Sequence, residues 1–258
     1  MDYSSVLILC APATAPTKNC NAFLMAMREH GAKVQLSSAT VDVALTRNCQ
    51  AASAFKFIQD TPGAIDWVLW LDWDMSASID SVNYMMLASH ALADEAGLPS
   101  VSGSYCNRHK KNLELAAFAL KGSWSRKVTI SDITPESTIH AIAALTGMGC
   151  LLQPAKAFVQ HCLEAEWFTY PKHPNKVPCV CQPHLTHASE LGQWVELEPN
   201  DENLYWIAED FDYCTRELDG GRLVYVVPVA FGHDKTEQLW PGEETVFPGL
   251  RPPSEVLP

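Results

Sequence analysis

The sequence predicts an α/β fold: a mainly parallel, doubly wound sheet in a single domain. Three observations predict it. Short apolar runs of strand length recur, as in Ser5-Val-Leu-Ile-Leu-Cys10 and Trp67-Val-Leu-Trp-Leu71. Longer segments with apolar residues at helical spacing lie between them, and no internal repeat or linker divides the 258 residues. Strands covered on both faces read as continuous apolar runs, and strands alternating with helices imply crossover connections and a parallel sheet. The length suffices to bury a core without staples.

In chain order, the run Ser5 to Cys10 reads as a buried strand that opens into the proline-rich loop Ala11-Pro12-Ala-Thr-Ala-Pro16. A helix from Cys20 to His30, an alternating strand from Lys33 to Ser37 and a helix from Val43 to Gln59 follow. Trp67 to Leu71 reads as a second buried strand, then a helix over about Asp80 to Ala96, a strand from Ser100 to Ser104 and an apolar run at Leu151-Leu152. From Phe168 to Asn203, Pro, His, Cys and polar residues show no sustained period, which predicts a long loop or subdomain. Glu209 to Leu218 resumes as a helix, Gly220-Gly221 supplies a left-handed stop, and Arg222 to Pro228 reads as a strand. The tail from Pro241 holds four further prolines and is expected to lie extended on the surface.

Composition narrows the function classes. With 47% hydrophobic and 19% charged residues the chain is too apolar for disorder and too mixed for a fibrous repeat. The first apolar run, Val6 to Ala11, is far shorter than the roughly 20 residues of a membrane span and has no basic segment before it. A soluble, cytoplasmic protein without membrane partners is expected. Nine cysteines, an odd number scattered through apolar stretches, suit reduced thiols. A net charge of −12 argues against a general polyanion binder, but the charge is uneven. Residues 105–187 carry 9 Lys/Arg against 5 Asp/Glu, whereas residues 188–258 carry 4 against 15. Six basic residues, Arg108, Lys110, Lys111, Lys121, Arg126 and Lys127, cluster with one acid, Glu114. Such a cluster suits either a solvated face or contact with phosphates.

Trp70-Leu71-Asp72-Trp73-Asp74 places two carboxylates one residue apart where an apolar strand ends. Ligands of open α/β sheets bind beyond the carboxyl ends of strands, and hard cations such as magnesium or manganese take one or two such carboxylates together with substrate phosphate. The same acids also read as caps of the following helix. Asp42-Val-Ala-Leu-Thr-Arg47-Asn48, Ala144-Leu-Thr-Gly147-Met-Gly149-Cys-Leu-Leu152, Glu209-Asp210-Phe-Asp-Tyr-Cys214 and Gly232-His233 complete the ordered set.

In this order and spacing the segments resemble GT-A-fold glycosyltransferases of the family-two type, including compact phage-encoded versions, over roughly residues 5–235. The resemblance implies a GT-A-like, Rossmann-like domain that moves one sugar from a nucleoside diphosphate sugar, a UDP-sugar foremost, to an acceptor hydroxyl. It implies Asp74, with Asp72 and His233, as ligands of Mn2+ or Mg2+, with Asp74 at a loop edge. Asp72, Arg47, Asp42, Ala11, Pro12, Gly147 and Gly149 would contact the donor. Asp210, ahead of its neighbour Glu209, would deprotonate the acceptor in an inverting reaction. Acceptors of compact relatives include hydroxymethylated pyrimidines in phage DNA, which gives Arg108, Lys110 and Lys111 a role; Trp206 would stack on the acceptor. A saccharide acceptor and a non-catalytic sugar-nucleotide-binding module are the competing readings.

Cys179, Cys181, His184 and His187 stand within nine residues and suggest zinc or an acceptor-facing loop. The sequence lacks a Gly-x-x-x-x-Gly-Lys-Ser/Thr loop, which removes the P-loop class. It also lacks the Gln-x-x-Arg-Trp signature of processive polysaccharide synthases.

Overall fold

The computed structural model describes residues 2–11, 16–37, 42–105, 114–119, 127–129, 141–187 and 204–233. The chain opens with β1 (Val6–Ala11), α1 (Lys18–Glu29), β2 (Lys33–Leu36), α2 (Val43–Asp60) and β3 (Trp67–Asp72). Next come β4 (Met75–Ser76), α3 (Ile79–Ala91), β5 (Ser100–Ser104), β6 (Glu114–Ala119), β7 (Lys127–Thr129), β8 (Ala141–Thr146), β9 (Cys150–Pro154) and α4 (Ala155–Glu164). The last group is β10 (Trp167–Phe168), β11 (Val177–Pro178), β12 (His184–His187), β13 (Leu204–Ile207), α5 (Glu209–Asp219), β14 (Val224–Ala230) and β15 (Gly232–His233).

The main sheet has the order β2-β1-β3-β9-β5-β14-β8-β6-β7. Among its six strands from β2 to β14, five run the same way, and β9 runs against both of its neighbours, β3 and β5. The sheet is therefore mainly parallel, as the sequence predicts. The reversed β9 arises because the chain enters it through a turn at Gly147-Met148-Gly149 on the edge where the parallel strands end. Beyond β14, strands β8, β6 and β7 extend the sheet through antiparallel ladders.

Side chains on successive strand residues point to opposite faces, and the core divides accordingly. Val6, Ile8 and Cys10 of β1 with Trp67, Leu69 and Leu71 of β3 pack toward α1 and α3. Leu7, Leu9, Val68 and Trp70 pack toward α2, α4 and α5. There Trp70 meets the rings of Phe158 and Tyr213 at centroid distances of 6.0 and 5.8 Å. Every residue of β1 is buried, which is why it reads as an unbroken apolar run. Side-chain oxygens of Thr17, Asp42 and Ser78 accept hydrogen bonds from the first turns of α1, α2 and α3.

Two expectations need correction. The third helix stops at Ala91 rather than near Ala96, because Asp94 accepts a bond from the Ala96 N–H and pairs with Gly97, whose φ of +114° ends helical continuation. In the stretch from Phe168 to Asn203, expected as a long loop or subdomain, short strands form: β10 pairs with β11, and β12 pairs with β13. Strand β14 starts two residues later than expected and passes Pro228, where its register with β5 shifts between Val227 and Ala230; a residue with no N–H is accommodated at such an irregularity. Residues 234–258, with the proline-rich tail, lie outside the described residues.

Candidate active site

Ala11 and Asp72 stand in register at the carboxyl ends of the adjacent parallel strands β1 and β3. Leu71 pairs with Cys150 at the start of β9, and the Asp72 N–H donates to the Gly149 carbonyl at 3.0 Å, so the Gly147–Gly149 turn closes the same edge. Helix α5 begins there with Glu209 and Asp210. This is the edge at which open α/β sheets bind ligands.

Arg47 connects the elements. It projects from the second turn of α2, and its side chain is only 4% exposed. Nη2 donates to Asp72 Oδ1 at 2.8 Å and Nη1 to Glu209 Oε1 at 2.9 Å, which ties β3 to the start of α5. Burial opposes its charge, but the carboxylates of Asp72, Glu209 and Asp210 outweigh that cost and raise its pKa. One guanidinium thus faces three carboxylates. Burial pushes the Asp210 carboxyl up to about 6; Arg47 opposes this shift, while Glu209 and Asp72 reinforce it.

Sequence reading did not find Tyr105, the residue following β5. Burial and the charges of Asp210 and Asp72 raise its pKa well above the usual phenol value, so it is a neutral hydroxyl. That hydroxyl accepts the Gly149 N–H at 3.2 Å. A Cβ on Gly147 would overlap the hydroxyl and lie 3.2 Å from Asp210 Oδ2; one on Gly149 would lie 3.2 Å from Asp72 Oδ2. The glycines are what let backbone, phenol and two carboxylates share this space. Asn48 was also missed. Its Nδ2 donates to the Cys181 carbonyl and its Oδ1 accepts from the Val180 and Cys181 N–H groups, pinning that segment to α2. A lone tyrosine after a strand and an asparagine inside a helix carry no periodic signal.

Asp74 lies in the turn between β3 and β4, where it is 3% exposed. Strand β15 pairs with β4 so that His233 lies opposite Met75, next in sequence to Asp74. The backbone therefore brings the Asp72–Asp74 turn and position 233 together. Among the described residues, no three of His, Cys, Asp and Glu form a ready-made metal cage. Asp72 engages Arg47 through Oδ1 and leaves Oδ2 toward the glycine turn, so a hard cation there would have few protein ligands and would have to draw the rest of its shell from water and phosphate.

Asp42 is the N-cap of α2, accepting from the Leu45 N–H at 2.8 Å, one turn before Arg47. Trp206 lies on β13 opposite Leu185, three residues before Glu209. Pro12, Arg108, Lys110 and Lys111 lie outside the described residues. The Cys179–His187 group does not assemble as a zinc site: Cys181 is buried against the Ala44 carbonyl and Asn48, Cys179 meets Gln182, and His184 faces Asp212 at 3.5 Å. Among the described residues, no helix is long and apolar enough to cross a membrane.

No protein-family model matches the chain, and no curated protein matches it in sequence. Among solved structures it is similar to A197 from STIV, with a TM-score of 0.50 and 10% identity over 93% of this chain and 96% of that one. It also aligns with a glycosyltransferase involved in the glycosylation of the major capsid of PBCV-1, with a TM-score of 0.33 and 13% identity over 64% of this chain and 71% of that one. At these identities the likeness to A197 bears on the fold alone.

Proposed function

We propose that the chain is a glycosyltransferase that moves one sugar from a nucleoside diphosphate sugar, a UDP-sugar foremost, to an acceptor hydroxyl, with Asp210 as general base. One observation carries this reading: Asp72, Glu209 and Asp210 converge on buried Arg47 over the Gly147–Gly149 turn, at the carboxyl edge of the sheet. Glu209 is committed to Arg47, whereas Asp210 has a carboxyl with a pKa of about 6, suited to accept a proton near neutral pH. In the inverting form Asp210 takes the acceptor proton, the acceptor oxygen bonds to the anomeric carbon, and the nucleoside diphosphate departs with the electrons of the broken bond. Arg47 fixes the separation of Asp72 from Glu209 and limits repulsion among the acids. Asp72 Oδ2 meets a donor hydroxyl or a divalent cation. Mn2+ or Mg2+, when bound, would supply countercharge for the departing diphosphate.

The acceptor side rests on sequence. The basic cluster at 108–127 favours a phosphate-bearing acceptor, hydroxymethylated DNA, over a saccharide. The test of the reading is incubation of the chain with UDP- and GDP-sugars, with manganese and with chelator, measuring released nucleoside diphosphate. Release from at least one donor, lost in Asp210→Asn while calorimetric donor binding persists, is the expected result. Binding without any turnover would favour the sugar-nucleotide-binding module.

A further inference from the structure

We infer that Tyr105 is a positioning residue of this site, its hydroxyl and Gly147 forming one matched unit that fixes Asp210 against Asp72. The inference rests on the transferase reading and names a residue which that reading does not use. Tyr105 is 5% exposed and follows β5, a central strand of the sheet, so its ring cannot swing away without disturbing the core. Its hydroxyl takes up the Gly149 N–H and occupies the place where a side chain at 147 would begin. Asp210 Oδ2 lies 3.2 Å from that same point, and Asp72 Oδ2 lies 3.2 Å from the matching point at 149, where the Tyr105 hydroxyl is also 3.3 Å away. The phenol is thus wedged between the turn and both carboxylates. Removing the hydroxyl lets the turn and Asp210 relax into the vacated space, and a displacement of about 1 Å at a reacting group suffices to cost up to about 100-fold in rate.

Two measurements test this. Tyr105→Phe keeps the buried ring but leaves the Gly149 N–H without its acceptor, so its melting temperature should fall by a few degrees only, while kcat falls about 10- to 100-fold and the donor KM changes less than about twofold. A purely structural role would lower the melting temperature without this split, and wild-type kcat in a folded Tyr105→Phe would overturn the inference. The second measurement needs no turnover. Gly147→Ala should lower the melting temperature in the wild-type background by overlap with the hydroxyl, and clearly less in Tyr105→Phe, where the nearest ring atom lies 3.1 Å from the new methyl. Additive effects would overturn the matched unit. If wild type releases nucleotide from no donor, the transferase reading and the role in turnover fall together, while the melting temperatures still decide whether hydroxyl and glycine form one unit.

Discussion

Asp210 is held in a form that suits chemistry at the expense of stability. Its carboxyl pKa rises from 3.8 to about 6, so the folded chain binds this proton more tightly than the unfolded chain does. The resulting stabilisation is complete below about pH 4 and is lost as pH rises through about 6. At pH 7.5, Asp210→Asn should therefore melt above wild type by an amount on the order of 1–3 kcal/mol, since one pKa unit corresponds to about 1.4 kcal/mol. The gap should close by pH 4, and melting curves at both values check it. The same variant should lose about 10²-fold or more in turnover. Arg47 acts in the opposite sense on the neighbouring charge. Arg47→Met removes the guanidinium facing Asp72, Glu209 and Asp210, so the Asp210 pKa should climb further and the acid limb of kcat/KM should move to higher pH. An unchanged limb would separate Arg47 from the base. Asp72 was legible in the sequence because an acid at the end of an apolar strand stands out, whereas Arg47, Glu209 and Asp210 were singled out by the family resemblance. The burial of Asp74 was not legible, because a turn hides which way its residues face.

Helix α2 shows how an element can be legible while its task is not. Helical spacing and the Asp42 cap locate it, yet its inward face includes Thr46, Arg47, Asn48 and Gln50, all buried and polar. Each has its own tertiary or capping bond: Asn48 to the Val180–Cys181 backbone, Gln50 to the Cys10 carbonyl at 2.6 Å, Thr46 to the Asp42 carbonyl. An apolarity pattern assigns such residues to solvent, because a buried amide and an exposed one look alike until the partner strand is known. Helix α4 escaped notice for a related reason. Its face of Phe158, His161 and Cys162 is short, and His161 is buried through bonds to Glu217 and the Val180 carbonyl. Asn48→Ala should leave three backbone groups of Val180 and Cys181 without partners, at about 1–3 kcal/mol for each group that stays dry. Hydrogen exchange should then rise first at 179–182 and only later in β1 and β3. Uniform acceleration across the sheet would instead mean that the segment and the core open as one unit.

At the scale of the whole molecule, an acidic chain of net charge −12 contains a basic third, and the two halves of the proposed reaction divide along that line. The described cluster around Arg47 carries excess negative charge and suits a cation-bridged donor. The basic residues from Arg108 to Lys127 suit an acceptor that carries phosphates. Neutralising phosphates releases condensed counterions, so affinity for duplex DNA should fall with the logarithm of salt concentration at a slope of about −0.9 per phosphate contact. Transfer of radiolabelled sugar to hydroxymethylcytosine DNA should accordingly weaken steeply between about 50 and 200 mM salt. Lys110→Glu combined with Lys111→Glu should depress that transfer and flatten its salt slope, while nucleotide release from donor alone stays at the wild-type level because Asp72, Arg47 and Asp210 are untouched. A saccharide acceptor carries no such counterion atmosphere, so its transfer should respond weakly to salt and to the double substitution. Absence of label on DNA at the lower salt, with a donor the chain does cleave, would end the DNA reading and assign the acceptor to the saccharides.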